Sequence, residues 1–136
     1  MTNPVKPPKK QPQLKSAPKI RQLYWCDFPQ DAQLPEFWKQ RPVIIVSYRN
    51  TLSGTVTVIP CSTDPQEGNK WAVEVETTFS AGKSWAICDK PYTVAVSRLS
   101  MDRKGVTRLK ETEFDAVIAK LLEWLPTPNP LQNPSK

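Results

Sequence analysis

Residues 40–63 read Q-R-P-V-I-I-V-S-Y-R-N-T-L-S-G-T-V-T-V-I-P-C-S-T, two strand-like segments joined by a short polar connection. Residues 43–47 are mostly β-branched and apolar, the pattern of a strand buried on both faces. Residues 55–59 mostly alternate, with Val56 and Val58 on one face and Thr55 and Thr57 on the other. Between the two, Asn50, Ser53 and Gly54 are turn formers. Antiparallel pairing brings the start of the first segment beside the end of the second. Arg41, just before the first strand, then meets Ser62 and Thr63, just after the second. A guanidinium and two hydroxyls share one end of a small sheet, and the chemistry is expected there.

The surrounding chain of 136 residues is long enough for one domain with its own core. Of nineteen Lys and Arg, six fall in residues 1–21 with no acid among them, which leaves thirteen to balance thirteen Asp and Glu. The net charge of +6 therefore belongs to the N-terminal segment, and the remainder is formally neutral. The absence of histidine removes the commonest general base and the commonest metal ligand. Cys26, Cys61 and Cys88 are odd in number, widely spaced and set in apolar segments. They read as buried free thiols in a reducing compartment, and no metal site or cofactor is expected. With no apolar run of membrane-spanning length and no N-terminal h-region, a cytoplasmic protein without membrane association is expected.

Residues 1–19 are rich in Pro, Lys and Gln and nearly devoid of large apolar side chains, which predicts a disordered basic tail. Two readings stay open for it: a solubilising extension, or an arm that touches nucleic acid. A first strand is expected over 20–28. The long connection 29–40 follows, carrying Phe37 and Trp38, which either fold back on the core or meet a ligand. Residues 71–76 alternate as a strand; 85–89 and 92–97 are shorter strands separated at Pro91. Residues 98–109 suggest a hairpin-like excursion around 102–105. One helix is expected over 112–125, with Phe114, Val117, Ile118, Leu121, Leu122 and Leu125 on one stripe. Thr112 and Asp115 suggest a capping box, and Pro126 ends the helix. Residues 127–136 read as a second disordered, Pro-rich tail. The fold class is thus mainly β with a C-terminal α-helix: a small, strongly bent antiparallel sheet or barrel over residues 20–126.

Four segments in order carry a resemblance to the MazF/PemK/Kid family of toxins from bacterial toxin–antitoxin systems. L-Y-W-C-D-F (23–28) resembles the family's opening strand, and R-P-V-I-I-V-S (41–47) its R-P-V-V-V-S signature. V-I-P-C-S-T (58–63) is similar to the V-x-P-x-T-T strand end. C-D-K-P-Y-T-V-A-V-S-R-L (88–99) is similar to the block C-D-Q-I-R-T-V-D-K-S-R-L. The resemblance implies an SH3-like barrel, a homodimer and a metal-independent endoribonuclease. Such an enzyme cleaves single-stranded RNA by 2′-hydroxyl attack, leaving a 2′,3′-cyclic phosphate and a 5′-hydroxyl. It also implies a cognate antitoxin that covers the RNA site with an acidic segment and mediates any contact with operator DNA.

By position, the family's essential Arg falls on Arg41, its catalytic Thr on Ser62, and the acid of its first loop on Glu36. Trp38, Lys39, Gln40, Thr63, Asp89, Lys90 and Tyr92 are then expected to face RNA. Arg41 suits a phosphate because its fork matches two oxygens, with possible proton transfer to the leaving oxygen; the general base stays open. Ser62 keeps the hydroxyl but loses the β-branch that fixes a Thr rotamer. Lys90 and Tyr92 replace a Gln and an Arg of the family block, so the recognised RNA sequence is not inherited. Two further readings remain: a non-enzymatic, gyrase-poisoning toxin of the CcdB type, for which Trp124 near the helix end is the one cue, and an inactive barrel that only binds antitoxin or DNA.

Overall fold

Val43, Ile44 and Ile45 all lose contact with water, and they divide between two apolar clusters on opposite faces of one sheet. That division follows from the two-residue period of a strand: Val43 and Ile45 point one way and Ile44 the other. Each such side chain contributes roughly 1.5–3 kcal/mol by leaving water, so the strand is held from both sides.

The structure, a computed structural model, describes residues 3–128. Residues 129–136, most of the expected C-terminal tail, lie outside them, as do residues 1 and 2. The strands are β1 (Gln22–Asp27), β2 (Gln40–Ile45), β3 (Thr55–Ser62), β4 (Ala72–Val75), β5 (Ser84–Ile87), β6 (Tyr92–Ala95), β7 (Leu99–Ser100) and β8 (Thr107–Arg108). One helix, α1 (Glu111–Trp124), closes the chain. All pairing is antiparallel, in the order β4-β5-β3-β2-β1-β7, with β6 also on β3 and β8 also on β1. The long β3 makes this curling possible. Its first half pairs with β6 and its last two residues pair with β5, so one strand serves two directions of the sheet.

The first cluster lies inside the curl, among Tyr24, Cys26, Phe28, Val56, Val58, Val94, Val96 and Leu99. The second lies between the other face and α1, where Phe114 and Val117 pack on Leu23, Ile59 and Val75. Cys26, Cys61 and Cys88 are free and buried, and burial pushes each thiol up to about 12.

Several sequence expectations are corrected in detail. β2 begins at Gln40, so Arg41 sits within the strand rather than before it, and Ser62 is the last residue of β3 rather than beyond it. The two arms of the 98–109 excursion do not form a hairpin with each other. Each pairs with β1 instead, because β1 offers them a buried partner. The helix has no capping box: Lys110 stands at its N-cap without a side-chain cap bond. Leu122 and Leu125 of the expected stripe are exposed, because the second cluster ends at Leu121.

Residues 1–19 depart most from expectation. Leu14 is 5% exposed and belongs to the inner cluster. The Asn50 side-chain amide donates to the carbonyl of Pro18, 3.0 Å away, which fixes the segment where it joins the domain. A single large apolar side chain thus docks a stretch whose composition otherwise reads as disordered.

Leu14→Ala is expected to cost about 2–5 kcal/mol in chemical denaturation, as for other buried leucines. Val5→Ala, at a position 92% exposed, is the matched control and should stay within about 0.5 kcal/mol. The thiols give a second expectation. Their raised values mean that the unfolded chain releases thiol protons first, so stability holds below the ordinary thiol value of 9.0 and falls as pH rises toward about 12. At neutral pH all three should resist alkylation until the protein is denatured.

Candidate functional site

β2 and β3 are registered Val43 on Pro60, Ile44 on Ile59 and Ile45 on Val58. The same register carried two residues further sets Arg41 opposite Ser62. Both line a cleft of about 340 Å³ and a smaller depression of about 200 Å³ beside it, so the pair forms the boundary between the two.

Arg41 is held from behind. Its Nε donates to the carbonyl of Trp38 at 3.2 Å, and its Cζ lies 5.6 Å from the centroid of the Phe37 ring. The Nη groups remain for a ligand. Among the described residues no carboxylate comes within ion-pair distance of this guanidinium. Ser62 is 7% exposed, and its Oγ accepts from the Asp64 N–H at 3.1 Å. That turn leaves the Ser62 O–H free to donate toward the cleft.

Glu36, Trp38, Asp89 and Lys90 line the same cleft as Arg41 and Ser62. Glu36 is exposed and already engaged: its Oε1 accepts from the Gln33 N–H at 2.7 Å across the turn 33–36, which contains a cis Leu34–Pro35 bond. Asp89 differs. Lys90 Nζ holds its Oδ2 at 2.7 Å, while its Oδ1 is buried and has no hydrogen-bond partner. A buried acceptor without a partner is costly and invites a donor. Trp38 is 47% exposed, with the Lys39 ammonium 5.0 Å from its ring centroid.

Lys39, Gln40 and Thr63 line the smaller depression, on the other side of the Arg41–Ser62 pair. Tyr92 lies in neither. Its ring packs on Phe28 and Phe37, and its hydroxyl accepts from the Phe37 N–H at 3.0 Å. It supports the loop that carries Trp38 and packs on the inner cluster, while it also lines a separate cleft with Phe37 and Arg98.

The sequence reading missed Asp64, Gln66 and Asn69, which come to the main cleft from the turn after β3. It also missed Trp25, Phe79, Ser80 and Ser84 in the smaller depression. The one signal for these was Phe79, a large aromatic within an otherwise polar turn. Among the described residues, no three Cys, Asp or Glu come together in a group that could hold a metal ion. No helix among them is long and apolar enough to cross a membrane.

The profile of a family described as PemK-like, MazF-like toxin of type II toxin–antitoxin system matches residues 19–125. Among solved structures, the chain is similar to MazF from Deinococcus radiodurans, with 17% identity, a TM-score of 0.64, and 79% of this chain and 94% of that one covered. It is also similar to an endoribonuclease in complex with its cognate antitoxin from a mycobacterial species, at 20% identity and TM-score 0.58, covering 82% of this chain and all of that one. The Mycobacterium tuberculosis toxin MazF-mt6 shares 21% identity and a TM-score of 0.57, over 76% of this chain and 95% of that one. At these identities the likeness is one of fold: a curled antiparallel sheet with one C-terminal helix. No curated protein matches the sequence.

Tyr92→Phe keeps the ring packing but leaves the Phe37 N–H without its acceptor. A loss of about 1 kcal/mol in unfolding free energy is expected. Tyr92→Ala should lower stability further.

Proposed function

The chain belongs to the PemK-like, MazF-like toxin family of type II toxin–antitoxin systems, and on that premise we propose that it is a metal-independent endoribonuclease acting on single-stranded RNA. The carrying observation is the Arg41 guanidinium, without an ion-pair partner among the described residues, set opposite the Ser62 hydroxyl at the junction of two clefts.

RNA brings its own nucleophile, so the protein needs only to orient it, accept its proton and stabilise the phosphorane. In this mechanism the 2′-hydroxyl gives its proton to a carboxylate of the main cleft, which Glu36, Asp64 and Asp89 line. The 2′-oxygen bonds to phosphorus, and the bond from phosphorus to the 5′-oxygen breaks. The departing oxygen takes a proton from water in the open cleft, leaving a 2′,3′-cyclic phosphate and a 5′-hydroxyl. Arg41 and Ser62 donate to the non-bridging oxygens, where charge develops. Glu36 holds the 33–36 turn and through it the loop leading to Arg41. Lys90 neutralises phosphate charge beside Asp89.

The reading brings further partners with it: an antitoxin whose acidic segment would satisfy Arg41, a second copy of the chain in a homodimer, and operator DNA reached only through the antitoxin. The non-enzymatic reading has one observation in its favour. Trp124 is 40% exposed beside exposed Leu122 and Leu125 at the helix end.

Incubation with a long single-stranded RNA in excess chelator separates the readings. Cleavage is expected to proceed unchanged; intact RNA would favour the non-enzymatic toxin, and a requirement for added Mg²⁺ would overturn the mechanism. Arg41→Ala should lower the cleavage rate roughly 10²–10³-fold, the usual effect of losing a preorganised donor. Ser62→Ala should be less severe and Ser62→Thr close to wild type. Among Glu36→Gln, Asp64→Asn and Asp89→Asn, the variant that removes the proton acceptor should lower kcat most. Equal rates for Arg41→Ala and wild type would remove Arg41 from the site.

A further inference from the structure

The smaller depression differs in kind from the main cleft. Its walls include the Trp25 and Phe79 rings, whose centroids are 4.9 Å apart with planes tilted by 54°. Trp25 Nε1–H donates to Asp102 Oδ1 at 3.1 Å, which stops that ring from swinging away. Ser84, 1% exposed, shares a hydrogen bond of 2.9 Å with Ser80. Lys39 and Arg41 supply positive charge, and among the described residues no carboxylate lines the depression. The main cleft, by contrast, carries Glu36, Asp64 and Asp89.

Lys39 is fixed as well as charged. It adopts a left-handed backbone with φ of 56°, uncommon for a residue with a side chain, and its carbonyl accepts from the Phe28 N–H at 3.1 Å. The backbone is therefore tied in place, while the ammonium lies 5.0 Å from the ring centroid of Trp38, at the edge of the main cleft.

Resting on the nuclease reading, we infer that this depression is a nucleobase pocket for the nucleotide on the 3′ side of the cut, and that it selects a keto base, uracil or guanine. The aromatic walls supply stacking surface, which every base accepts. Selection comes from Lys39, which only donates and, turned from Trp38 into the depression, pairs with guanine O6 or uracil O4, the positions at which adenine and cytosine carry an amino group. An exocyclic amino group placed against the ammonium would leave two donors facing each other. Strand polarity follows from the proton acceptor. The attacking 2′-hydroxyl belongs to the nucleotide 5′ of the cut and must lie with the carboxylates in the main cleft. The chain then crosses the Arg41–Ser62 pair at the phosphate, and the next base enters the smaller depression.

The test is sequencing of the products formed by wild type and variants from a fully randomised single-stranded RNA pool. Wild type should show uracil or guanine immediately 3′ of the cut over adenine or cytosine by roughly tenfold or more. Lys39→Gln should flatten that preference in the sequenced products. Phe79→Leu, which keeps an apolar side chain but loses the flat ring, should raise KM without altering the base choice; Phe79→Ala is the harsher variant, and its thermal unfolding shows whether the fold survives. An even base distribution 3′ of the cut, or enrichment of adenine or cytosine, overturns the pocket and leaves the nuclease standing. An unchanged preference in Lys39→Gln overturns the role of Lys39. An uncut pool overturns the nuclease reading and this inference with it.

Discussion

The register between β2 and β3 is the constraint on which the rest of the molecule depends. A slip of one residue would send Ile44 into the curl and Val43 and Ile45 toward the helix, reversing both clusters at once. The two-sided burial of these side chains makes such a slip costly, and this apolar penalty is what keeps Arg41 opposite Ser62. The polar end of the pairing contributes little to its own placement: Arg41 has a single hydrogen bond to a backbone carbonyl, and Ser62 accepts one from the next turn. Hydrophobic packing some residues away sets the position of the charged group.

The charged group is in turn left unsatisfied. Of the four ion pairs among the described residues, three are largely exposed surface contacts and the fourth joins the neighbours Asp89 and Lys90. Exposed pairs contribute roughly 0–1 kcal/mol, so electrostatics does little for stability here. It is concentrated instead where a phosphate would sit. The two sides of the Arg41–Ser62 pair also differ in sign, acidic in the main cleft and cationic in the smaller one. A polar ligand crossing the pair meets two different environments within a short distance.

Behind this surface stands an aromatic layer. Phe28, Phe37 and Tyr92 pack edge to face or tilted, with centroids 5.0–6.1 Å apart, and Phe37 also backs the Arg41 guanidinium. The long loop 28–39 is thereby fastened to the inner cluster, although no regular secondary structure holds it. Leu14 fastens the N-terminal segment to the same cluster. One core thus immobilises two irregular segments, including the one that carries Trp38 and Lys39 to the site.

The sequence by itself determined the order of short strands and the terminal helix, because the periods of 2 and 3.6 are local and each is set by one face meeting a core. It also placed Arg41 and Ser62 at one end of the sheet, since antiparallel pairing of two adjacent strands leaves little freedom. The side-chain assignments at Tyr92, Leu14 and Phe79 were decided only in three dimensions. An aromatic residue reads the same in sequence whether its face meets a cluster or a cleft, and Tyr92 and Phe79 each do both. A lone leucine in a Pro- and Lys-rich stretch carries no periodic signal, yet Leu14 found a vacancy in a core built by residues far along the chain. The split between an acidic and a cationic cleft was likewise invisible, because its members come from five separate segments. Local pattern fixes what each segment becomes; which face of a residue is left for water, and beside which charge, is settled by the packing of segments distant in sequence.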